Sequence, residues 1–227
     1  MLILALDTTT RTGSCAVARD GAVLREAGSD AARPPAARLP ADLMALLEES
    51  GFTLDDIDVF AVATGPGSFT GLRIGIATMQ GLAFASGKPL IGISGFDALA
   101  TIAGPGRVAA LIDAWRGEVY AAVYDSGQPM LSPVVQRPEP LLEVLAAEGA
   151  GAGPITFIGD GAETYRGVIA ATLGSRARIV APAVPLLAGA VARLAFAEAA
   201  RGMAPPPHAI RPLYVRRPDA ELARDRA

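Results

Sequence analysis

Cysteine and histidine each occur once in the chain, as Cys15 and His208. A single thiol closes no intrachain disulfide, which fits a reducing compartment. One Cys and one His cannot fill a zinc set built from those residues. A Ser-His-Asp triad is disfavoured as well, because its base would have to be His208, inside the run Pro205-Pro206-Pro207-His208. Lysine occurs only at Lys88, and 20 basic residues face 23 acidic ones for a net charge of −3. A nucleic-acid-binding domain that acts alone is usually basic, so this balance argues against one. No apolar run approaches the ~18 residues of a membrane span. No basic stretch precedes the opening apolar run, as it would in a signal peptide, and the expected compartment is the cytoplasm.

Against these absences, 51% of the 227 residues are hydrophobic. That excludes intrinsic disorder and allows one large domain or two smaller lobes. Leu2 to Leu6 is a short apolar run ending at Asp7, which reads as a strand buried on both faces. Ser14 to Arg19 and Ala22 to Glu26 follow as strands around an Asp20-Gly21 hairpin turn. A Pro-containing loop covers 31–40, and Ala41 to Glu49 has helical spacing at Leu43, Leu46 and Leu47. Ile57 to Ala63 is another strand. Ser68 then caps a helix that runs to about Ser86, with Gly87 as its stop. A short strand at Leu90 to Ile93 and a helix at Phe96 to Ala103 complete this half.

Gly104-Pro105-Gly106 marks the expected boundary between two lobes, 1–104 and 105–227. Beyond it the opening pattern returns. Val108 to Ile112 is a strand ending at Asp113, and Glu118 to Tyr124 is the next, closed by Asp125-Ser126-Gly127. This is a weak internal repeat, carried by the order of elements. Helices are expected at Leu141 to Ala147, Ala162 to Leu173 and Pro185 to Arg201, and a strand at Ile155 to Ile158. Meanders alternating with helices imply an α/β fold in two similar lobes with mixed sheets flanked by helices.

Two motifs invite chemistry. Asp7-Thr8-Thr9-Thr10 ends a buried strand. In two-lobed ATP-using proteins of the actin, hsp70 and sugar-kinase architecture, the corresponding turn approaches phosphate and metal. No glycine lies between Asp7 and Arg11, and close backbone approach to phosphate favours glycine, so the residues favour a capped structural turn. Asp7, Thr8 and Thr9 remain the nucleotide-binding candidates. The second motif is Gly65-Pro66-Gly67-Ser68-Phe69-Thr70-Gly71, which joins a strand to a helix N-terminus, the geometry of an anion cradle. It lacks the Gly-Lys-Ser/Thr ending of a P-loop. Gly71, Gly75 and Thr78 form a small-residue stripe, so helix packing is favoured over phosphate. Leu72, Ile76, Met79 and Ala83 form a second stripe, and Ile74, Ala77, Gly81 and Ala85 a third. A helix apolar nearly all round is buried on more than one side, either in its own core or against a partner chain. Asp113, Glu118, Asp125, Asp160 and Glu163 fit no paired-carboxylate spacing, and Arg211, Arg216 and Arg217 lie in a Pro- and Arg-rich tail.

The run Ile3-Leu4-Ala5-Leu6-Asp7-Thr8-Thr9, the segment from Gly65 to Gly75, Asp113-Ala114 with Gly117-Glu118-Val119-Tyr120, and Pro212-Leu213-Tyr214-Val215-Arg216 together resemble the TsaB (YeaZ) family. The resemblance implies an actin-like fold and a place in bacterial synthesis of threonylcarbamoyladenosine at adenosine 37 of tRNA. It implies a non-catalytic adaptor that binds and activates the transferase TsaD, joined by the ATPase TsaE, with tRNA bound only through the complex. It implies no metal and no cofactor of its own, any ATP or ADP being bound weakly within the complex. Partner contact, or a homodimer through the same helices, is expected at Leu43, Leu46, Leu47, Phe69, Leu72, Arg73, Gly75, Ile76 and Met79. Bulk at Gly75 is accordingly expected to separate partners before it unfolds the lobe. The chain departs from the family at two places. The region Pro34-Pro35-Ala36-Ala37-Arg38 holds no histidine, so the TsaD-type His-x-x-x-His metal pair is absent, and Trp115 follows Asp-Ala where the family often has arginine. The competing reading is an ATP-binding kinase or ATPase of the same architecture. A metallopeptidase fails for want of ligands.

Overall fold

A computed structural model describes residues 1–10, 12–29, 35–149, 153–203 and 205–215, with side chains of the first helix described from Arg38. Pro34, Arg216 and Arg217 lie outside the described residues. The chain forms two compact units.

The first unit is built on a five-stranded mixed sheet of order β3-β2-β1-β4-β5. Its strands are β1 (Leu2–Asp7), β2 (Ser14–Arg19), β3 (Ala22–Gly28), β4 (Val59–Ala63) and β5 (Leu90–Ile93). β1, β2 and β3 form an antiparallel meander, and β4 and β5 run parallel to β1. Asp20 and Gly21 both have positive φ (51° and 82°), the geometry of the tight hairpin turn that matches strand twist. All six residues of β1 are buried, because helices cover both faces of the sheet centre. Helices α1 (Pro35–Ser50) and α2 (Phe69–Ser86) supply the crossovers around β4. Their inward residues join Leu4, Leu6, Val17, Phe60 and Val62 in one core.

α1 begins at Pro35, six residues before the expected start, and carries Pro40 within it. Pro40 is exposed, whereas Arg38 and Leu39 are buried, so packing secures a first turn that the prolines obscure in the sequence. α2 has the expected limits. Ser68 Oγ accepts from Gly71 N at 3.2 Å, and Gly87 (φ 64°) ends the helix in the left-handed region that glycine tolerates.

The second unit repeats the scheme with β6 (Arg107–Asp113), β7 (Val119–Asp125), β8 (Gln128–Gln136), β9 (Ile155–Ile158) and β10 (Ala177–Ile179), in the order β10-β9-β6-β7-β8. Read from the opposite edge, this is the strand order of the first sheet, as the sequence repeat implies. Helix α4 (Pro138–Ala147) packs with α6 (Arg166–Leu173) over Leu111, Val119, Ala121 and Phe157, and the short α5 (Asp160–Thr164) packs on β6. β8 and β10 had no expectation from the sequence. β8 contains Pro129 and Pro133, which an edge strand tolerates because one row of its amides is unpaired.

The compact units do not divide at 104–105. The first comprises Met1–Ala98 and Leu186–Leu213, and the second runs from Leu99 to Pro185, with Tyr214 and Val215 among the described residues after it. Helix α3 (Gly95–Ala103) therefore spans the division. Helix α7 (Ala188–Ala200) returns to the first sheet, where it packs on β1, β2, β4 and β5. Its first amides are held there. Ser14 Oγ accepts from Leu187 N and Ala188 N at 3.2 and 3.0 Å, and Glu26 Oε1 accepts from Gly189 N at 2.7 Å.

Candidate docking face and the Asp7 turn

Asp7 is the last residue of β1 and is wholly buried. Its Oδ1 accepts from Thr9 N at 2.8 Å and from Thr9 Oγ1 at 2.6 Å, and its Oδ2 accepts from Thr10 Oγ1 at 2.6 Å. The carboxylate is thus engaged by its own turn. Thr8 Oγ1 donates to Gly71 O at 2.8 Å, and Ser68 N donates to Thr9 O at 3.1 Å. The three nucleotide-binding candidates lie together, buried beneath the start of α2 and turned to intrachain partners.

The glycines of the Gly-Pro-Gly-Ser-Phe-Thr-Gly motif explain that closeness. A Cβ on Gly67 would lie 2.3 Å from Thr9 O, one on Gly71 2.3 Å from Thr8 O, and one on Gly75 2.1 Å from Thr8 Oγ1. Real Cβ atoms do not come so near. The small-residue stripe seats α2 on the chain's own turn, and the expectation that Gly75 meets a partner is corrected.

The same correction applies to the leucines. Leu43, Leu46, Leu47, Leu72, Ile76 and Met79 are at most 4% exposed and belong to the core of the first unit. They support the outer surface from within and cannot reach a partner while the core is closed. Of the expected contact residues, only Phe69 and Arg73 face outward. Phe69 is 41% exposed, and the Arg73 guanidinium lies 3.9 Å from its ring centroid, a cation–π arrangement.

Helical spacing continues that outward line. Ala77, Gly81 and Phe84 are exposed, and Phe84 reaches 81%. A Cβ on Gly81 would meet nothing within 4 Å. Two bulky ends thus flank a shallow middle where a helix backbone can come near. Met44, half exposed, is the large apolar residue on the outer side of α1, which packs beside α2. Ala77 and Gly81 belong to the third stripe read from spacing. Phe84 and Met44 carry no sequence expectation, because exposure within an all-apolar helix has no compositional mark.

The second turn differs from the first. Asp113 Oδ1 accepts from Trp115 N at 3.0 Å, and Asp113 N donates to Asp160 Oδ1 at 2.8 Å. Trp115, Arg116 and Gly117 all have positive φ, and Trp115 is 73% exposed. Burial pushes the Asp160 carboxyl above the usual aspartate range, and the charge of Asp113 adds to the rise. Cys15 is buried and pushed up to about 12, chiefly by desolvation, so its thiol stays protonated and unreactive near neutrality. Among the described residues, no three or more His, Cys, Asp or Glu side chains gather as a metal site requires, and no helix is long and apolar enough to cross a membrane.

Residues 28–224 match the family model described as TsaD: tRNA N6-adenosine threonylcarbamoyltransferase. The chain is 30% identical over 185 residues to the tRNA threonylcarbamoyladenosine biosynthesis protein TsaB of Bacillus subtilis, covering 78% of each protein. It is 43% identical over 128 residues to TsaB of Escherichia coli, covering 55% of each. Among solved structures, YeaZ from Pseudomonas aeruginosa superposes with a TM-score of 0.75 at 33% identity, over 94% of this chain and 99% of that one.

Proposed function

The chain belongs to the TsaB/YeaZ family, and from that membership we propose that it is a non-catalytic adaptor in tRNA threonylcarbamoyladenosine synthesis. Its role in this reading is to bind and activate a TsaD-type transferase. The observation that carries the docking part is the outward line of α2, in which Phe69, Arg73 and Phe84 flank the small residues Ala77 and Gly81. A contiguous exposed apolar stripe is the mark of an association surface. A stripe with a shallow middle suits another helix, so the partner would present a helix of its own. The same stripe would serve a homodimer when the transferase is absent, and the ATPase TsaE would join the assembled pair.

The lack of own catalysis is supported by the turns. Asp7 accepts hydrogen bonds from Thr9 and Thr10, the Thr9 amide is spent on that carboxylate, and the start of α2 packs against the Thr8 and Thr9 carbonyls, which leaves this turn poorly suited to phosphate. Any nucleotide would bind in the complex, and tRNA would be held by the assembly, since a net charge of −3 offers little to phosphates.

The test is co-purification with the TsaD of the same cell, followed by a threonylcarbamoylation assay with and without this chain. Stimulation of the transferase by the added chain is expected. Equal transferase activity without it, or ATP turnover by the chain alone that Asp7→Ala abolishes, would overturn the adaptor reading in favour of an ATP-using enzyme.

A further inference from the structure

Beside the core contacts of Leu72 and Ile76, the docking end of α2 is seated on the buried side chain of Thr8 in the turn below it. Thr8 is 4% exposed. Its hydroxyl donates to Gly71 O at 2.8 Å, while its methyl Cγ2 would lie 3.0 Å from a Cβ on Gly75. The hydroxyl therefore holds the first turn of the helix and is also the nearest wall of the second, 2.1 Å from where a Gly75 Cβ would stand, with the methyl beside it. Threonine is stiff at χ1, so the two contacts are set together and not independently. Ser68 N, bonded to Thr9 O, fixes the entry of the same helix. On the outer side of these two turns stand Phe69 and Arg73, whose stacked pair is the proximal end of the proposed docking line.

We infer that Thr8 is a positioning residue: it sets the height and rotation of α2 so that the Phe69–Arg73 pair meets a partner helix. The inference rests on the docking reading of α2. Interfaces that bind well are packed at interior density, so a small tilt of the proximal turns misplaces the pair. A motif placed where relatives of this architecture approach phosphate thus works here as the seat of a binding surface.

The test uses the full chain with Thr8→Val, which keeps the shape and loses the hydroxyl, and Thr8→Ser, which keeps the hydroxyl and loses only the methyl, so that the pair isolates the hydroxyl's contribution. Thr8→Val removes the hydrogen bond to Gly71 and keeps the bulk. Its affinity for TsaD, measured below the thermal midpoint and normalised to folded protein, is expected to fall about fivefold. Amide exchange of residues 69–75 in the free chain is expected to speed up, with residues 79–86 unchanged. Thr8→Ser restores the hydroxyl and is expected to recover both readouts to within about twofold of the parent. Unchanged exchange and affinity in Thr8→Val would overturn the inference, as would a Thr8→Ser variant as weak as Thr8→Val. A parent chain that fails to bind TsaD would instead overturn the docking reading. The exchange pattern would still decide whether Thr8 positions the helix.

Discussion

Thr8 and Gly75 stand so close that a Cβ on the glycine would lie 2.1 Å from the threonine hydroxyl oxygen. The contact lies inside the first unit, between the β1 turn and α2, and not on any outer surface. Gly75→Leu is therefore expected to destabilise the isolated chain. Overpacking of a tight site costs typically ~1–3 kcal/mol, and this site has the stiff side chain of Thr8 on its far wall. Chemical denaturation of the isolated variant measures it. A variant with parental stability and lost partner affinity would return Gly75 to the interface, as the family resemblance implies.

The limits of α2 were legible because Ser68 and Gly87 are chemical marks of a start and a stop. The paired sheets were legible because Asp7 and Asp113 end two apolar runs in the same order of elements. The face of α2 was not. Of its 18 residues, buried Ile76 and Met79 and exposed Ala77 and Phe84 are all apolar, so periodicity has no polar side to point outward. Of the α2 residues that the family resemblance implied, Leu72, Gly75, Ile76 and Met79 turn inward, and Phe69 and Arg73 turn outward. The start of α1 was hidden by Pro35 and Pro40, whose usual meaning is a loop. The return of α7 to the first sheet depends on Ser14 and Glu26 receiving its amides, pairings more than 160 residues apart that no local pattern encodes.

Phe84 separates stability from binding at the other end of the stripe. At 81% exposure it contributes little to its own core. Phe84→Ser is expected to leave the thermal midpoint of the isolated chain nearly unchanged, within the ~0.5 kcal/mol typical of surface changes. Buried aromatic anchors dominate the energy of association surfaces, so affinity for TsaD is expected to fall at least about tenfold. Calorimetry on the free chain and a binding titration give the two numbers. Parental affinity in Phe84→Ser would move the docking surface off this end of α2.

Two carboxylates of the second unit are expected to respond to acid in opposite directions. Glu148 forms a forked ion pair with Arg107, with Nη2 to Oε1 at 2.8 Å, and the Arg107 hydrogen bond holds its carboxyl below the usual glutamate range. Its contribution is present above the ordinary glutamate pKa and is lost as pH falls through the lowered folded value. Because Glu148 is about one-third exposed, solvent screens much of the pair. Asp160 is shifted upward by burial, with the nearby Asp113 charge adding to it. Its contribution is present below the ordinary aspartate pKa and is lost as pH rises through the raised folded value. Asp160→Asn keeps an oxygen to accept from Asp113 N while removing the buried charge. At pH 7 it is expected to be at least as stable as the parent, and Glu148→Gln less stable. On acidification below the ordinary carboxylate range, Glu148→Gln should converge on the parent, and any advantage of Asp160→Asn should vanish. Denaturant midpoints at pH 7 and at the lowest pH where the chain stays folded decide the matter. Asp160→Asn less stable than the parent at pH 7 would show that the ionised carboxylate, through its amide hydrogen bonds, outweighs its own burial.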